Sequence, residues 1–383
     1  MGMKWNWQYP EWPNFRWDPT QLQVAEASFV EGVGTVVGAS RYLRDEDRQA
    51  LSIELMSIEA LDTSEIEGEY LNRDSVQSSI QQALGLAVDE RRKPSLAEVG
   101  IAQMMVNLYY TWLDPLTESA LFDWHRMIMR GRRDLTQVGS YREHVEAMQI
   151  VSGPDYARKV HFEAPSSAQV PAEMAVFLKW FADTAPGGVN PLPTLTRAGI
   201  AHLWFESIHP FEDGNGRIGR AIAEKILSQR FHQNPCITAL AKVLLKRRKA
   251  YYGALKAASN SLDISEWLAW FAAIVLEAQQ HTLMYIDFIV HKAELLNRVR
   301  DQLNARQEKV LLRMLREGPA GFTGGLSAAN YKSMTGATTA TTTRDLNNLV
   351  TMGVLDRVGE RKATRYFLRI PCSAHGIDPQ ENA

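Results

Sequence analysis

The sequence predicts a mostly α-helical protein with one small β-hairpin and a separate C-terminal unit of paired helices. Three observations carry that prediction. Apolar residues recur at three- and four-residue steps, as in Leu51, Leu55, Ile58 and Leu61, which is the period of a helix burying one face. The stretch from Asp263 to Arg316 holds neither Gly nor Pro, so long helices can cross it without a break. Strand-type patterning is confined to 139–165, where Gly139, Gly153 and Pro154 punctuate short apolar runs, and to a basic segment around Gly359.

Taken in order, residues 1–40 alternate Trp5, Trp7, Trp12 and Trp17 with Pro10, Pro13 and Pro19. Prolines disfavour long regular elements there, and the indoles need a surface to bury against. The expectation is a strap packed across the main body; a peptide-binding face is the other reading. A helix from Leu43 to Thr63 follows, stopped at Gly68, where a glycine can leave the helical conformation cheaply. Further helices are expected near 73–86, 95–112 and 117–130, then the hairpin, then helices from Pro171–Asp183 onward. A main body over 41–285 and a helical linker over 286–304 lead to a unit at 305–371, with a polar tail at 372–383. In that unit Ser327 to Met334 and Ala340 to Met352 read as a helix pair, and Arg357 to Arg369 as a hairpin carrying Arg361, Lys362 and Arg365. This is the pattern of a winged helix-turn-helix.

Composition narrows the classes. Of 383 residues 45% are apolar and 22% charged, with a net charge of −2. These are values of a soluble globular protein without an overall bias toward nucleic acid or membrane. Cys236 and Cys372 are the only cysteines, too few for a disulfide framework or a thiolate zinc site. With no signal-like N-terminus, the expected location is the cytoplasm. The 305–371 unit departs from the average, with eleven Lys and Arg against five Asp and Glu. Duplex DNA is one expected partner of that unit, and a protein contact is the other.

The chemistry concentrates in His209-Pro210-Phe211-Glu212-Asp213-Gly214-Asn215-Gly216-Arg217-Ile218-Gly219-Arg220. Ile200, Trp204 and Ile208 line one face of a helix before it, and Ile218, Ile222 and Ile226 one face of a helix after it. The loop therefore opens onto a helix N-terminus, where free N–H groups and the helix dipole favour an anion. Gly214 and Gly216 flank Asn215 and let backbone approach a phosphate. Arg217 and Arg220, three apart, share a face on which two guanidinium forks can hold successive phosphates. Asp213 is a hard oxygen donor beside those phosphates, suited to Mg²⁺. His209 is the only group in the loop that ordinarily titrates near neutrality, and so the natural general base.

This segment matches the signature HPFx(D/E)GNGRxxR at every specified position, and the chain resembles the Fic family over roughly residues 40–285. The resemblance implies a protein adenylyltransferase, which moves AMP from Mg·ATP to a Ser, Thr or Tyr hydroxyl of a target protein. It implies His209 as base, Asp213 as Mg²⁺ ligand, and Asn215 with the amides of Gly214 and Gly216 as an anion hole. Arg217 and Arg220 would hold the β- and γ-phosphates, and Tyr252 and Asn260 are candidate nucleoside contacts, with core packing as the alternative. Val138-Gly139-Ser140-Tyr141-Arg142 and the following hairpin resemble the family's target-docking flap, with Met148, Gln149, Ile150 and Val151 as the docking edge. The Trp-rich N-terminus resembles a segment fused to bacterial Fic proteins. Thr63-Ser64-Glu65-Ile66-Glu67-Gly68 resembles the inhibitory motif (S/T)xxxE(G/N), which implies a brake in which Glu67 pairs with Arg220, with Thr63 and Gly68 completing the motif. Two rival expectations stand beside this one: removal of AMP or transfer of another phosphate-containing group, and a nucleotide-sensing DNA-binding regulator. The sequence names no target protein. Self-modification and a homodimer are partners to test, and no membrane is expected.

Overall fold

A computed structural model describes residues 4–41, 43–87, 93–152, 159–230, 237–322 and 324–370. The expected tail at 372–383, the hairpin tip with Gly153 and Pro154, and both cysteines lie outside the described residues. The chain divides into two compact units, Met1–Gly38 with Ser52–Thr282 and Ala39–Leu51 with Leu283–Ala383. No helix among the described residues is long and apolar enough to cross a membrane.

The elements run α1 (Gln23–Ser40), α2 (Asp45–Ile66), α3 (Arg73–Ala83), α4 (Leu96–Tyr110), α5 (Glu118–Ile128), β1 (Gln149–Ser152), β2 (Lys159–Glu163), α6 (Val170–Asp183), α7 (Thr194–Ile208) and α8 (Asn215–Ser228). Then come α9 (Leu240–Lys246), α10 (Arg248–Ala258), α11 (Ser265–Val299), α12 (Ala305–Leu315), α13 (Ala328–Thr335), α14 (Thr339–Thr351), β3 (Leu355–Val358) and β4 (Arg365–Leu368). The protein is mostly helical. The expected helical linker at 286–304 is largely the C-terminal half of the single helix α11.

At the centre of the first unit, α7 packs along α8, and nearly every residue of both helices is buried. A helix covered on all sides needs close approach somewhere. Gly199 supplies it, since the Trp267 indole of α11 donates to its carbonyl at 2.9 Å and a Cβ there would lie 2.6 Å from Leu268. The N-terminal segment does strap this unit. Asn6 donates to Ser207 at 2.8 Å, Trp7 to the Glu163 carbonyl at 2.7 Å and Trp12 to Glu173 at 2.9 Å, while the Trp5 ring meets Phe162 edge-on. Residues 1–40 do, however, contain a long regular element. All the prolines lie before Gln21, and beyond them Phe29, Val33 and Val36 bury one face of α1. Proline density in the first half of the segment says nothing about the second.

Strands β1 and β2 form a two-stranded antiparallel sheet with an irregularity between Ile150 and Val151. In the second unit α12, α13 and α14 precede the hairpin β3–β4, and Leu326 exchanges both backbone hydrogen bonds with Tyr366 at 2.9 Å. That isolated bridge lies beside the two-stranded β3–β4 sheet.

Candidate active site

The site is assembled where α7 ends and α8 begins. His209 closes α7 in the left-handed region at φ 51°, with its N–H on the Phe205 carbonyl at 2.9 Å. A non-glycine residue there is strained unless its surroundings hold it. Arg142 does so from beneath: its Nε donates to the His209 carbonyl at 2.8 Å, and its remaining nitrogens reach the Pro165 carbonyl at 2.5 Å and Ser167 Oγ at 2.8 Å. The flap and the loop are thus tied by one buried guanidinium. Burial, with the Arg142 charge adding to it, pushes the His209 pKa down to about 4. The imidazole is therefore neutral at physiological pH, and its Nδ1 is buried without a hydrogen-bond partner among the described residues. Glu206 lies 4.0 Å from that nitrogen; burial raises its pKa to about 8, despite the opposing Arg220 charge, so it is largely protonated at pH 7.

A second histidine shapes the loop. His125 of α5 stacks on the Phe211 ring, with centroids 4.2 Å apart. Its Nδ1 accepts from the Gly139 amide at 2.9 Å, which leaves Nε2 as the donor to the Asp213 carbonyl at 3.2 Å. Asn215 also serves the loop's shape. Its side-chain oxygen accepts from the Phe211 N–H and its nitrogen donates to the Phe211 carbonyl, both at 2.9 Å. The Asn215 side chain thus clasps the loop, while its backbone N–H opens α8. Gly214 caps α8 at φ 82°, and a Cβ there would come 2.6 Å from Met129, so the positive φ favours glycine, and any Cβ would also displace the Met129 tip.

The N–H groups of Asn215, Gly216 and Arg217 begin α8 and have no intrahelical acceptor by position. A carboxylate stands beside Gly216. Glu67, one residue past the end of α2, accepts from Arg220 Nη2 at 2.7 Å, and a Cβ on Gly216 would collide with its Oε1. Arg220 also donates from Nε to Thr63 Oγ1 at 2.7 Å and from Nη2 to the Thr63 carbonyl at 3.0 Å. Burial opposes the Arg220 charge, but Glu67 more than offsets it and the pKa is raised. Gly68, at φ 85°, turns the chain straight after Glu67. Two residues on, Glu69 accepts from Arg217 Nη1 at 2.8 Å. Both arginines of the loop are thus held by carboxylates of one short strap. The sequence does not single out Glu69, because its partner Arg217 lies 148 residues away.

At the loop's other end Asp213 accepts from the Gly214 amide and from Arg132 Nη1, each at 2.6 Å. Burial opposes its ionisation, but Arg132, the Gly214 amide and Arg217 outweigh that and lower its pKa. Arg132 is a second residue the sequence did not disclose. No cluster of three acidic, His or Cys side chains occurs among the described residues, so any cation here would rest on Asp213 plus ligands from elsewhere.

The remaining candidates divide. Ile150 and Val151 are exposed on β1 and Gln149 bonds to Glu163, and among the described residues the outer edge of this two-stranded sheet has no strand partner. Met148, just before β1, packs with Trp7 against the Trp5–Phe162–Ala164 cluster. Tyr252 is 42% exposed on α10 and donates to the Ile66 carbonyl at 3.4 Å, so it stands beside the strap and not in the core. Asn260 is not brought to the loop: its Nδ2 donates to the Lys256 carbonyl at 2.6 Å and its carbonyl accepts from Tyr9, which makes it the finish of α10.

A left-handed histidine, a glycine-capped helix N-terminus and two arginines on its first turns define an anion-binding site at the junction of two buried helices. Residues 115–227 match the Fic/DOC family, and residues 5–86 match a domain of unknown function, DUF4172. The chain carries a Fic domain preceded by a DUF4172 domain. A curated relative, a probable protein adenylyltransferase of Aquifex aeolicus, is 30% identical over 99 residues, 26% of this chain and 27% of that protein. The match thus spans about a quarter of that relative's length. Among solved structures, a Fic family protein from Desulfovibrio desulfuricans is 22% identical, with 96% of this chain and 99% of that one covered at a TM-score of 0.50. A Fic domain containing signaling protein from Bacteroides thetaiotaomicron is 19% identical, with 67% and 95% covered, also at 0.50. Likeness at these identities establishes the Fic fold alone.

Proposed function

We propose that the protein is an adenylyltransferase that moves AMP from ATP onto a Ser, Thr or Tyr hydroxyl of a target protein and is held in check by its own strap. The observation that carries the reading is the neutral, buried His209 beside an arginine-flanked helix N-terminus. His209 takes the proton of the target hydroxyl, whose oxygen attacks the α-phosphorus; the bond from that phosphorus to the bridging oxygen of the β-phosphate breaks and pyrophosphate leaves. The amides that open α8 receive phosphate oxygens, and Arg217 and Arg220 hold the β- and γ-phosphates. Such chemistry rests mainly on positioning and charge stabilisation. The residues fit a Mg²⁺ shared with substrate. Asp213 is an ionised carboxylate, 42% exposed, whose partner Arg132 is a surface side chain, and Mg²⁺ is commonly held by one carboxylate plus phosphate oxygens. That ion would neutralise charge developing on the leaving group. The outer edge of β1 offers main-chain pairing to an extended target segment.

Glu67 supports the brake, because its carboxylate lies beside Gly216 at the helix start and on the same guanidinium that a terminal phosphate needs. Glu69 on Arg217 adds a second contact of the same sense. The test uses ATP labelled at the α-phosphate with cell lysate, followed by mass spectrometry of the labelled peptide. Glu67→Gly should incorporate label on the order of 10- to 100-fold faster than wild type, the scale of a lost charge-assisted hydrogen bond, and the double variant with His209→Ala should incorporate none. Equal rates for folded wild type and Glu67→Gly would remove the brake. Label retained by the double variant would remove His209 as base.

A further inference from the structure

We propose that the C-terminal unit is a duplex-DNA-binding module that presents one face of α14 to the major groove and the β3–β4 hairpin to the flanking backbone. This stands independently of whether the Fic site transfers AMP. The turn between α13 and α14 has the required tightness. Gly336 ends α13 at φ 69°, Ala337 is buried, and Thr338 caps α14 by accepting from the Thr341 N–H. Such a turn sets two helices at a steep angle and leaves the second projecting.

What fixes the orientation of α14 is a buried acid. Asp345 accepts from Tyr331 OH of α13 at 3.0 Å, from Arg306 of α12 at 2.9 Å and from Asn304 at 3.2 Å, while Gln307 donates to the Asp345 carbonyl at 3.0 Å. One side chain thus knots three helices together. Thr342, Leu346 and Leu349 are buried on the same side of α14. The opposite side exposes Ala340, Thr343, Arg344 and Asn347, which follow the spacing of one helical face. This face is not the polar skin of an ordinary solvated helix. It carries no acidic residue, because the only acid of α14 is the one turned inward. Its small members permit close approach. Arg344 and Asn347 are the two residue types whose forks match the major-groove edges of guanine and adenine.

The hairpin supplies the charge. It carries Arg357, Arg361, Arg365 and Arg369 against Asp356 and Glu360, and Arg357 and Arg361 are exposed. With Lys332 exposed on α13, the first helix of the pair also has a phosphate contact to offer. An acidic protein surface would answer the hairpin's charge, but it would leave Arg344 and Asn347 on a face with no apolar centre, whereas protein interfaces are built around buried aromatic or aliphatic anchors. Charge complementarity and the composition of the α14 face favour the duplex.

The test uses the full chain and fluorescent duplexes drawn from a random-sequence pool, read by anisotropy across a salt series and followed by selection of the best binders. Expected are binding that weakens linearly in log salt, a non-specific Kd of about 10⁻⁴ to 10⁻⁶ M at physiological salt, and a tighter selected sequence. Arg357→Ala with Arg361→Ala should weaken all duplexes alike and lower the salt slope by about one per arginine. Arg344→Ala or Asn347→Ala should instead erase the preference for the selected sequence by roughly 10- to 100-fold. Circular dichroism melts identify any variant that merely unfolds. The proposal is overturned if no duplex binds at the lowest salt, or if folded hairpin variants bind as tightly as wild type. It is also overturned if sedimentation shows that Arg344→Glu dissolves a self-association of the chain, since the face would then be a protein contact.

Discussion

The two ends of the Fic loop are each closed by an arginine and a carboxylate, yet they differ in everything that governs exchange. At the α8 end, Arg220 is 1% exposed, its charge is fully desolvated, and Thr63 and Glu67 together satisfy two of its nitrogens. At the other end, Arg132 and Asp213 are 39% and 42% exposed, and water competes for both. Removing the partner of a buried charge is costly, while an exposed pair is worth little. The comparison teaches where control can reside. A ligand arriving at Asp213 displaces a weak contact, whereas one arriving at Arg220 must replace a strong one. Arg217 is intermediate: its side chain is buried and its partner Glu69 is 37% exposed, much as Glu67 is at 32%, but the Thr63 contacts belong to Arg220 alone among the described residues.

The largest test of that ranking is Arg220→Ala. It deletes the strong contact from the phosphate side, so transfer should fall by about 10²- to 10³-fold, also in a Glu67→Gly background. Initial-rate label incorporation checks this, and an Arg220→Ala protein as active as Glu67→Gly would mean the guanidinium serves only the brake. Next, Glu69→Ala should raise wild-type transfer by about two- to fivefold, the range of a partly screened pair. A rise as large as that of Glu67→Gly would reverse the ranking of the two contacts. The smallest effect is expected of Arg132→Ala. Freed of its partner, Asp213 should need about two- to threefold less Mg²⁺ for half-maximal transfer, with the maximal rate unchanged. A higher Mg²⁺ requirement would show that Arg132 positions the carboxylate and does not compete for it.

Much of the site was legible because its chemistry is sequential. The loop from His209 to Arg220 sits on consecutive residues, and periodic apolar positions framed the helices on either side. The same holds for the helix pair and hairpin at the C-terminus, each announced by local turn residues. What escaped depends on partners far along the chain. Arg132 meets Asp213, His125 meets Phe211 and Asp213, and Glu69 meets Arg217, and no local pattern selects those pairings from many equally charged candidates. Arg142 belongs to the legible flap pattern, but its hold on the His209 carbonyl joins residues 67 apart and has no local signature. The sequence places Asn215 in an anion hole and Met148 on a docking edge; the Asn215 clasp on Phe211 and the Trp5–Phe162 cluster under Met148 are contacts of shape that no local pattern announces.

The lack of a side chain on Gly216 lets the Glu67 carboxylate approach the start of α8. A competitor carried on the same chain has a fixed effective concentration, set by the few residues that tether it, and neither expression level nor dilution changes it. On the proposed reading, ATP and the strap compete for this one position on every molecule separately. The fraction of active protein would then follow the ratio of nucleotide concentration to that constant, and anything that draws α2 away would shift the threshold without touching the catalytic groups.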